Sequence, residues 1–313
     1  MLEQLDPKSG QTIVDASFGA GGHARELLER VNPADARTVN GGRKSPAGRV
    51  IGLDRDAGAI KAGRQTFSAD IDAGRLVLVH AKFSELQTVL TELKVHDIDG
   101  LLFDAGVSSM QIVSSERGFS FSGSGPLDMR MDTRESLTAA RILAEWSEDK
   151  LRSQFFLVDE PAAGRIARAI VGARKEVPIQ TTDQLVEIIK GAVIPRFRAA
   201  KINPATRVFL ALRIAVNHEL EELRNGMLAG LQVLKPGGRM AVISFHSTED
   251  RVVKQTMQEW ARGCICPPEL PVCRCQHIPE VKLINKKPIT PTAQENATNP
   301  RARSAKLRVC IKI

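Results

Sequence analysis

The sequence contains no tyrosine, and aromatic residues make up only 4% of it. Any ring-stacking role therefore falls to phenylalanine, tryptophan or histidine. No apolar run approaches the roughly 20 residues that a membrane-crossing helix requires, which excludes that class. Met1 to Gly10 show neither the charged-then-apolar pattern of a secretory signal nor the Arg- and Ser-rich character of a transit peptide. A soluble intracellular chain is the expectation. Cysteine is scarce, and four of the five sit together as Cys264, Cys266, Cys273 and Cys275. Such a local group points to metal or to a thiol-rich loop rather than to a disulfide framework spread along the chain.

What is present is an ordinary globular balance, 42% hydrophobic and 26% charged. At 313 residues the chain can hold one large core, or one domain with another inserted into it. The net charge of +8 and pI of about 9.4 favour polyanionic partners, because each phosphate neutralised by Lys or Arg releases counterions. Many basic proteins bind no nucleic acid, so the charge alone decides nothing.

In the first third, short apolar runs alternate with helical patterns. Strands are expected at Thr12 to Ala16, Arg49 to Asp54, Leu76 to His80 and Ile98 to Asp104, with helices at His23 to Val31 and Ala57 to Phe67. This alternation implies parallel pairing and an open α/β sheet. A Gly-, Pro- and Arg-rich stretch, Asn32 to Gly48, reads as a lengthened surface loop. From about Ser108 to His218 no buried strand is expected. Helices are expected there at Ser136 to Trp146, Glu148 to Phe156, Ala162 to Arg174 and Thr182 to Ile194, the last opened by a Thr181/Gln184 capping box. A further helix starts at Asn203-Pro204 and runs through Arg207, Leu210, Ile214 and Leu220. The sheet resumes after a Lys235-Pro236-Gly237-Gly238 turn, with a strand over Arg239 to His246 and a helix over Ser247 to Trp260. Val281 to Asn285 and Leu307 to Ile313 are expected to close it as an antiparallel pair. The expected domains are 1–107 and 217–313 for the sheet, with 108–216 as an inserted helical domain.

Three strand ends carry chemistry. Asp15-Ala16-Ser17-Phe18-Gly19-Ala20-Gly21-Gly22-His23 joins the first strand to the first helix, where glycines let the backbone approach a ligand closely. Its pattern is Gly-x-Gly-Gly, not the Gly-x-Gly-x-x-Gly that lays a pyrophosphate on a helix N-terminus. A purely structural turn remains the alternative. Asp54 ends the second strand, where a carboxylate can accept both ribose hydroxyls of a nucleoside; a nicotinamide cofactor would use it equally, and a solvated carboxylate is the plain alternative. Asp104, ahead of Ala105-Gly106-Val107-Ser108-Ser109, stands where the reacting end of such a cofactor would lie, with a strand-terminal turn as the plain alternative. Two further stretches, Glu116 to Phe121 and Gly125 to Asp132, mix aromatics, arginines and carboxylates. Phe119 or Phe121 could stack on a base while Arg117 and Arg130 meet phosphate, or both rings could be core and the charges solvated.

These motifs, in this order, resemble the RsmH (MraW) family of small-subunit rRNA (cytosine-N4)-methyltransferases. The resemblance rests on Gly19 to His23, Leu53 to Asp56, Gly106 to Ser109, Arg117 to Phe121 and Gly125 to Asp132. It continues through Arg165-Ile166-Ala167, Ala205-Thr206-Arg207, Ser244 to Ser247 with Glu249-Asp250-Arg251, and Asn299 to Ser304. It implies a Rossmann-like, class I S-adenosylmethionine-dependent methyltransferase sheet with an inserted all-helical, substrate-recognising domain. It also implies methyl transfer to the N4 amine of cytosine 1402 in 16S-type rRNA. The implied cofactor contacts are Gly21, Gly22, His23, Asp54, Phe83, Asp104 and Gln111. Three features depart from the family: its opening His-x-Pro-Val-Leu segment is not seen ahead of Leu5, the Asn32 to Gly48 loop is longer, and Leu157-Val158-Asp159-Glu160 replaces aromatic-Gly-Glu-Glu.

Cytosine's exocyclic amine is a poor nucleophile, because its lone pair is delocalised into the ring. A group accepting a hydrogen bond from its N–H would help, and Asp104 is the first candidate, with Asp128 and Asp132 behind it. The target base must leave its stack. RNA contacts are expected from Arg165, Arg168, Arg174, Lys175, Arg196, Arg198, Lys201, Arg301, Arg303, Lys306 and Arg308, although any one of them is more simply a solvated charge. The cysteine group could bind zinc tetrahedrally, though Cys-x-Cys is a less usual spacing than Cys-x-x-Cys; no metal is assigned to the catalytic residues. The expected partner is small-subunit rRNA or the assembled small subunit, with no membrane; a homodimer is one oligomeric option. Cytoplasm is the expected compartment, with an organelle as the alternative. Two other classes stay open: a non-catalytic ribosome-assembly factor, and a nicotinamide oxidoreductase that the glycine pattern disfavours.

Overall fold

The computed structural model describes all residues except 33–46, 109–110, 113, 122, 194–203, 268–271 and 273. Most of the 32–48 loop lies outside the described residues, as do Ser109, Ile194, Arg196, Arg198, Lys201, Asn203 and Cys273. The chain divides into two compact units, Met1–Gly106 with Glu221–Ile313, and Val107–Leu220.

In the first unit β1 (Thr12–Asp15), α1 (Gly22–Val31), β2 (Arg49–Asp54), α2 (Ala57–Thr66), β3 (Leu76–His80), α3 (Leu86–Glu92) and β4 (Ile98–Asp104) alternate. Their strands are apolar on both faces because successive side chains enter different cores. Val14, Ile51, Leu101 and Met240 join one cluster, while Ile13, Val50, Leu102 and Ala241 join another.

The second unit contains α4 (Ala139–Glu145), α5 (Glu148–Leu157), α6 (Ala163–Glu176), α7 (Thr182–Ala192) and α8 (Pro204–Asn217). Leu143, Leu151, Phe155, Ile166, Leu185 and Leu212 form its own core. α4 starts three residues later than expected, because the Thr138 hydroxyl caps it by accepting from the Arg141 N–H. The Thr181/Gln184 capping box is present at α7.

The long helix expected through Leu220 is instead two. α8 ends at Asn217, His218 takes φ +50°, and α9 runs Glu219–Val233. Asn217 explains the break. Its buried amide donates to Met129 O and Arg213 O and accepts from the Met131 N–H at 2.7 Å, so it is bound to the 129–131 segment.

β5 (Leu234–Ser244) begins before the expected turn. Ile98 pairs with Leu234 but Gly100 with Arg239, so residues 235–238 bulge out, with Gly237 at φ +81°. α10 (Ser247–Trp260), β6 (Val281–Leu283) and β7 (Lys306–Lys312) complete the unit. The sheet order is β3-β2-β1-β4-β5-β7-β6. β1 to β5 pair in parallel, while β7 runs antiparallel to both β5 and β6. No helix among the described residues is long and apolar enough to cross a membrane.

Candidate active site

The carboxyl ends of β1, β2 and β4 bring the strand-end residues together. The loop after β1 is bound to both neighbours: Ala16 N–H donates to Leu102 O and Phe18 N–H to Leu53 O. Gly21 caps α1 at φ +79°, and a β-carbon there would strike the Phe67 ring, so the turn demands glycine. Beside Gly22 a β-carbon would meet nothing within 4 Å. That open edge lets a ligand reach the backbone.

Asp54 holds the turn. Its Oδ2 accepts from the Gly19 N–H at 2.7 Å and its Oδ1 from the Asp56 N–H at 2.8 Å. Each oxygen keeps a second lone pair, which suits a ribose diol. Asp104 donates its N–H to Ser17 Oγ at 2.6 Å, and its Oδ2 lies 3.2 Å from His23 Nε2. Asp104 Oδ1 is buried with no hydrogen-bond partner. Asp15, 0% exposed, has the same feature: its Oδ1 accepts from the Ser17 N–H, while its Oδ2 has no partner.

Burial pushes the Asp15 carboxyl up to about 6, partly opposed by His23. Burial also raises Asp54, against the hydrogen bonds from Asp56 and Gly19. The hydrogen bond to Asp104 raises His23 above the usual histidine range, and Asp15 adds to that. The result is a cluster of strand-end acids with two unsatisfied carboxylate oxygens, in which buried charge calls for a cation. Asp15 and Ser17 lie in the glycine motif, but the motif alone gives them no role. Asp15 carries a signal all the same, being a carboxylate that ends an apolar strand, as Asp54 and Asp104 do.

Phe83 follows β3 in a 3-10 turn, half-buried, with its ring edge-on to Phe103 at 5.1 Å. Gln111 belongs to the second unit, where it is buried and its Oε1 accepts from the Ser108 N–H. Asp128 and Asp132 also belong to that unit. Arg130 holds both Asp128 oxygens, at 2.9 and 2.7 Å, and Arg134 holds both Asp132 oxygens. Burial acts to raise Asp128, but the Arg130 hydrogen bonds prevail and keep it low.

The 116–132 stretches serve the fold of the second unit. Arg117 donates to Arg130 O and Met131 O, Phe121 packs edge-on against Phe209 at 5.2 Å, and Phe119 packs on the same core. Among the basic residues, Arg174 donates to Leu143 O and Trp146 O, and Arg308 is bidentate on Asp250. Arg165, Arg168, Lys175, Arg301 and Arg303 are exposed.

A pyrophosphate would meet repulsion from three carboxylates here, whereas a nucleoside bearing positive charge would be drawn in. The sheet order and this cluster of acids fit a Rossmann-like methyltransferase whose methyl donor is S-adenosylmethionine. The chain belongs to the MraW methylase family, whose model matches residues 1–313. A relative from Symbiobacterium thermophilum, named ribosomal RNA small subunit methyltransferase H, is 45% identical over 313 residues, covering 100% of this chain and 94% of the relative. One of the same name from Geobacter sp. (strain M21) is 46% identical, with 100% and 96% covered. A crystal structure of an rRNA methylase from Streptococcus thermophilus matches at 11% identity and TM-score 0.41, over 99% of this chain and 90% of that one, which adds no weight.

The residues present fit the donor. The orphaned oxygen of Asp15 suits its cationic methionine end, the Asp54 lone pairs suit its ribose, and the open edge at Gly22 admits it.

Proposed function

We propose that this chain methylates the exocyclic N4 amine of a cytosine in small-subunit rRNA, position 1402 in 16S numbering, acting in the cytoplasm on the rRNA or the small subunit. The observation that carries the reading is the pair of buried, unpartnered carboxylate oxygens at Asp15 and Asp104 beside the glycine turn. Support for the substrate comes from the name the two relatives share. A methyl group made electrophilic by an adjacent sulfonium is what the bound donor supplies.

The chain's own residues do the rest. Gly21, Gly22 and Asp54 hold the nucleoside end, and Phe83 offers the adenine an aromatic edge. Asp15 compensates positive charge. Asp104 Oδ1 accepts a hydrogen bond from the amine N–H, which localises the nitrogen lone pair toward the methyl carbon. His23, hydrogen-bonded to Asp104 Oδ2, fixes the carboxylate's rotamer and is a positioning residue. Asp128 and Asp132 are poor acceptors beside it, since arginines already engage their oxygens. The unit Val107–Leu220 reads RNA, with Arg165, Arg168 and Lys175 spaced by three and seven along α6 and so sharing one face.

The test incubates the full chain with small ribosomal subunits and labelled S-adenosylmethionine, then maps the modified base. Label on one cytosine N4 is the expected result. Asp104→Asn should lower turnover about a hundredfold or more, as loss of a positioned electrostatic group does, and leave RNA binding near normal. Label on no base would favour a non-catalytic assembly factor, and full activity in Asp104→Asn would remove that residue's role.

A further inference from the structure

The loop between α10 and β6 is long, and none of its described residues is buried. It spans residues 261–280, shows no regular structure among the described residues, and is tied at its base by a Glu280 N–H to Trp260 O hydrogen bond of 2.8 Å. Three of its described apolar side chains face outward, with Ile265 56%, Val272 66% and Ile278 76% exposed. A stretch whose described residues bury so little needs another source of order. Among the described residues, its thiols converge.

The Sγ atoms of Cys264, Cys266 and Cys275 all lie within 4.8 Å of one another. Cys275 Sγ and Cys264 Sγ are 3.8 Å apart. That is far beyond a sulfur–sulfur bond of about 2.05 Å. It equals the edge of a tetrahedron of thiolates around zinc, because Zn–S bonds of about 2.3 Å set the sulfurs about 3.8 Å apart. The two arms also support each other. Ile265 in the first arm donates its N–H to Cys275 Sγ at 3.5 Å, and Arg274 in the second donates to Cys266 Sγ at 3.4 Å. Backbone N–H groups aimed at sulfur are the kind of outer contact that orients the ligands of a metal site. Cys310 is the opposite case: it is buried in β7, and burial pushes its thiol up to about 12.

We propose that Cys264, Cys266 and Cys275 bind one zinc ion that ties the Cys264–Cys266 arm to Cys275. Binding releases the thiol protons to solvent and leaves three sulfur–zinc bonds, with no change of oxidation state. The site is structural, lies outside the cluster of strand-end acids, and goes beyond the methyl-transfer reading.

The test uses the full chain purified under reductant without chelator. Elemental analysis should find about one zinc per chain, and a mercurial reagent should release it. Replacement by cobalt should give the intense near-ultraviolet sulfur-to-cobalt absorption and the visible bands of a tetrahedral thiolate site. Cys264→Ser with Cys275→Ser should lower bound zinc about tenfold or more, while Cys310→Ser retains it. The wild-type measurements stand even if the double variant misfolds. A wild-type chain that takes up no added zinc under reductant overturns the proposal, as does a Cys264–Cys275 disulfide in protein alkylated directly from reductant.

Discussion

Asp15 is a carboxylate with no exposed surface and one oxygen without a partner, and at neutral pH it opposes folding of the ligand-free chain. Its folded value of about 6 lies above the ordinary 3.8. An acid raised in this way contributes stability below its unfolded value, and loses it as pH rises through the folded one. Above about pH 6 the cost is at most about 3 kcal/mol, from about 1.4 kcal/mol per unit. Asp15→Asn keeps an acceptor for the Ser17 N–H and removes the charge. Urea unfolding of the variant should therefore show a gain of about 1–3 kcal/mol at pH 7.5 and little difference near pH 4. The same change should weaken S-adenosylmethionine binding, a trade of stability against function. A variant less stable than wild type at pH 7.5 would contradict the assignment. At this scale the sequence exposes Asp54 and Asp104, because acids that end apolar strands stand out. It cannot show which oxygens go unpartnered, since His23 lies 81 residues from Asp104 along the chain and only the folded sheet joins them.

Among the elements, the parallel strands were legible because alternate residues fill two apolar clusters, leaving runs without polar interruption. α9 was not, because Gly226 and Gly230 dilute its helical pattern. Those glycines mark close packing. A β-carbon on Gly226 would stand 2.5 Å from Phe83 Cβ and 3.1 Å from Phe103 Cε1. Gly→Ala in a helix normally gains up to about 1 kcal/mol. Here the neighbours are a side-chain root and a buried ring in a packed core, so the clash wins, at about 1–3 kcal/mol. Gly226→Ala should lower the thermal midpoint and, by displacing Phe83, weaken donor binding measured by calorimetry more than it weakens RNA binding. A variant with a raised midpoint and unchanged donor affinity would remove Phe83 from the binding site. The bulge at 235–238 escaped the sequence for a related reason: Pro-Gly-Gly reads as a turn, and only pairing with Ile98 and Gly100 shows that the strand continues across it.

Across the whole molecule, a surplus of +8 says little until the charges already engaged are set aside. Arg117, Arg130, Arg174 and Arg308 are engaged by carbonyls or carboxylates of the chain itself. This is why composition and helical spacing overstate the RNA-contacting set. Arg165, Arg168 and Lys175 are exposed on one helix, although Arg168 also lies 3.5 Å from Glu148, a pair too exposed to hold it. If α6 meets phosphate, Arg165→Ala with Lys175→Ala should weaken binding to a small-subunit rRNA fragment. The slope of log affinity against log salt should become shallower by about 0.9 for every phosphate that is no longer neutralised. The thermal midpoint should stay within a degree or two, because both side chains are exposed. Arg174→Ala should behave in the opposite way. It leaves Leu143 O and Trp146 O at the end of α4 without their donor, at about 1–3 kcal/mol of stability, and keeps the salt slope. Filter binding between about 50 and 200 mM salt, paired with thermal unfolding, separates the two. A salt slope that ignores the double variant would take the RNA-reading role away from this face of the second unit, and leave Arg301 and Arg303 in the tail as the exposed cations to test next.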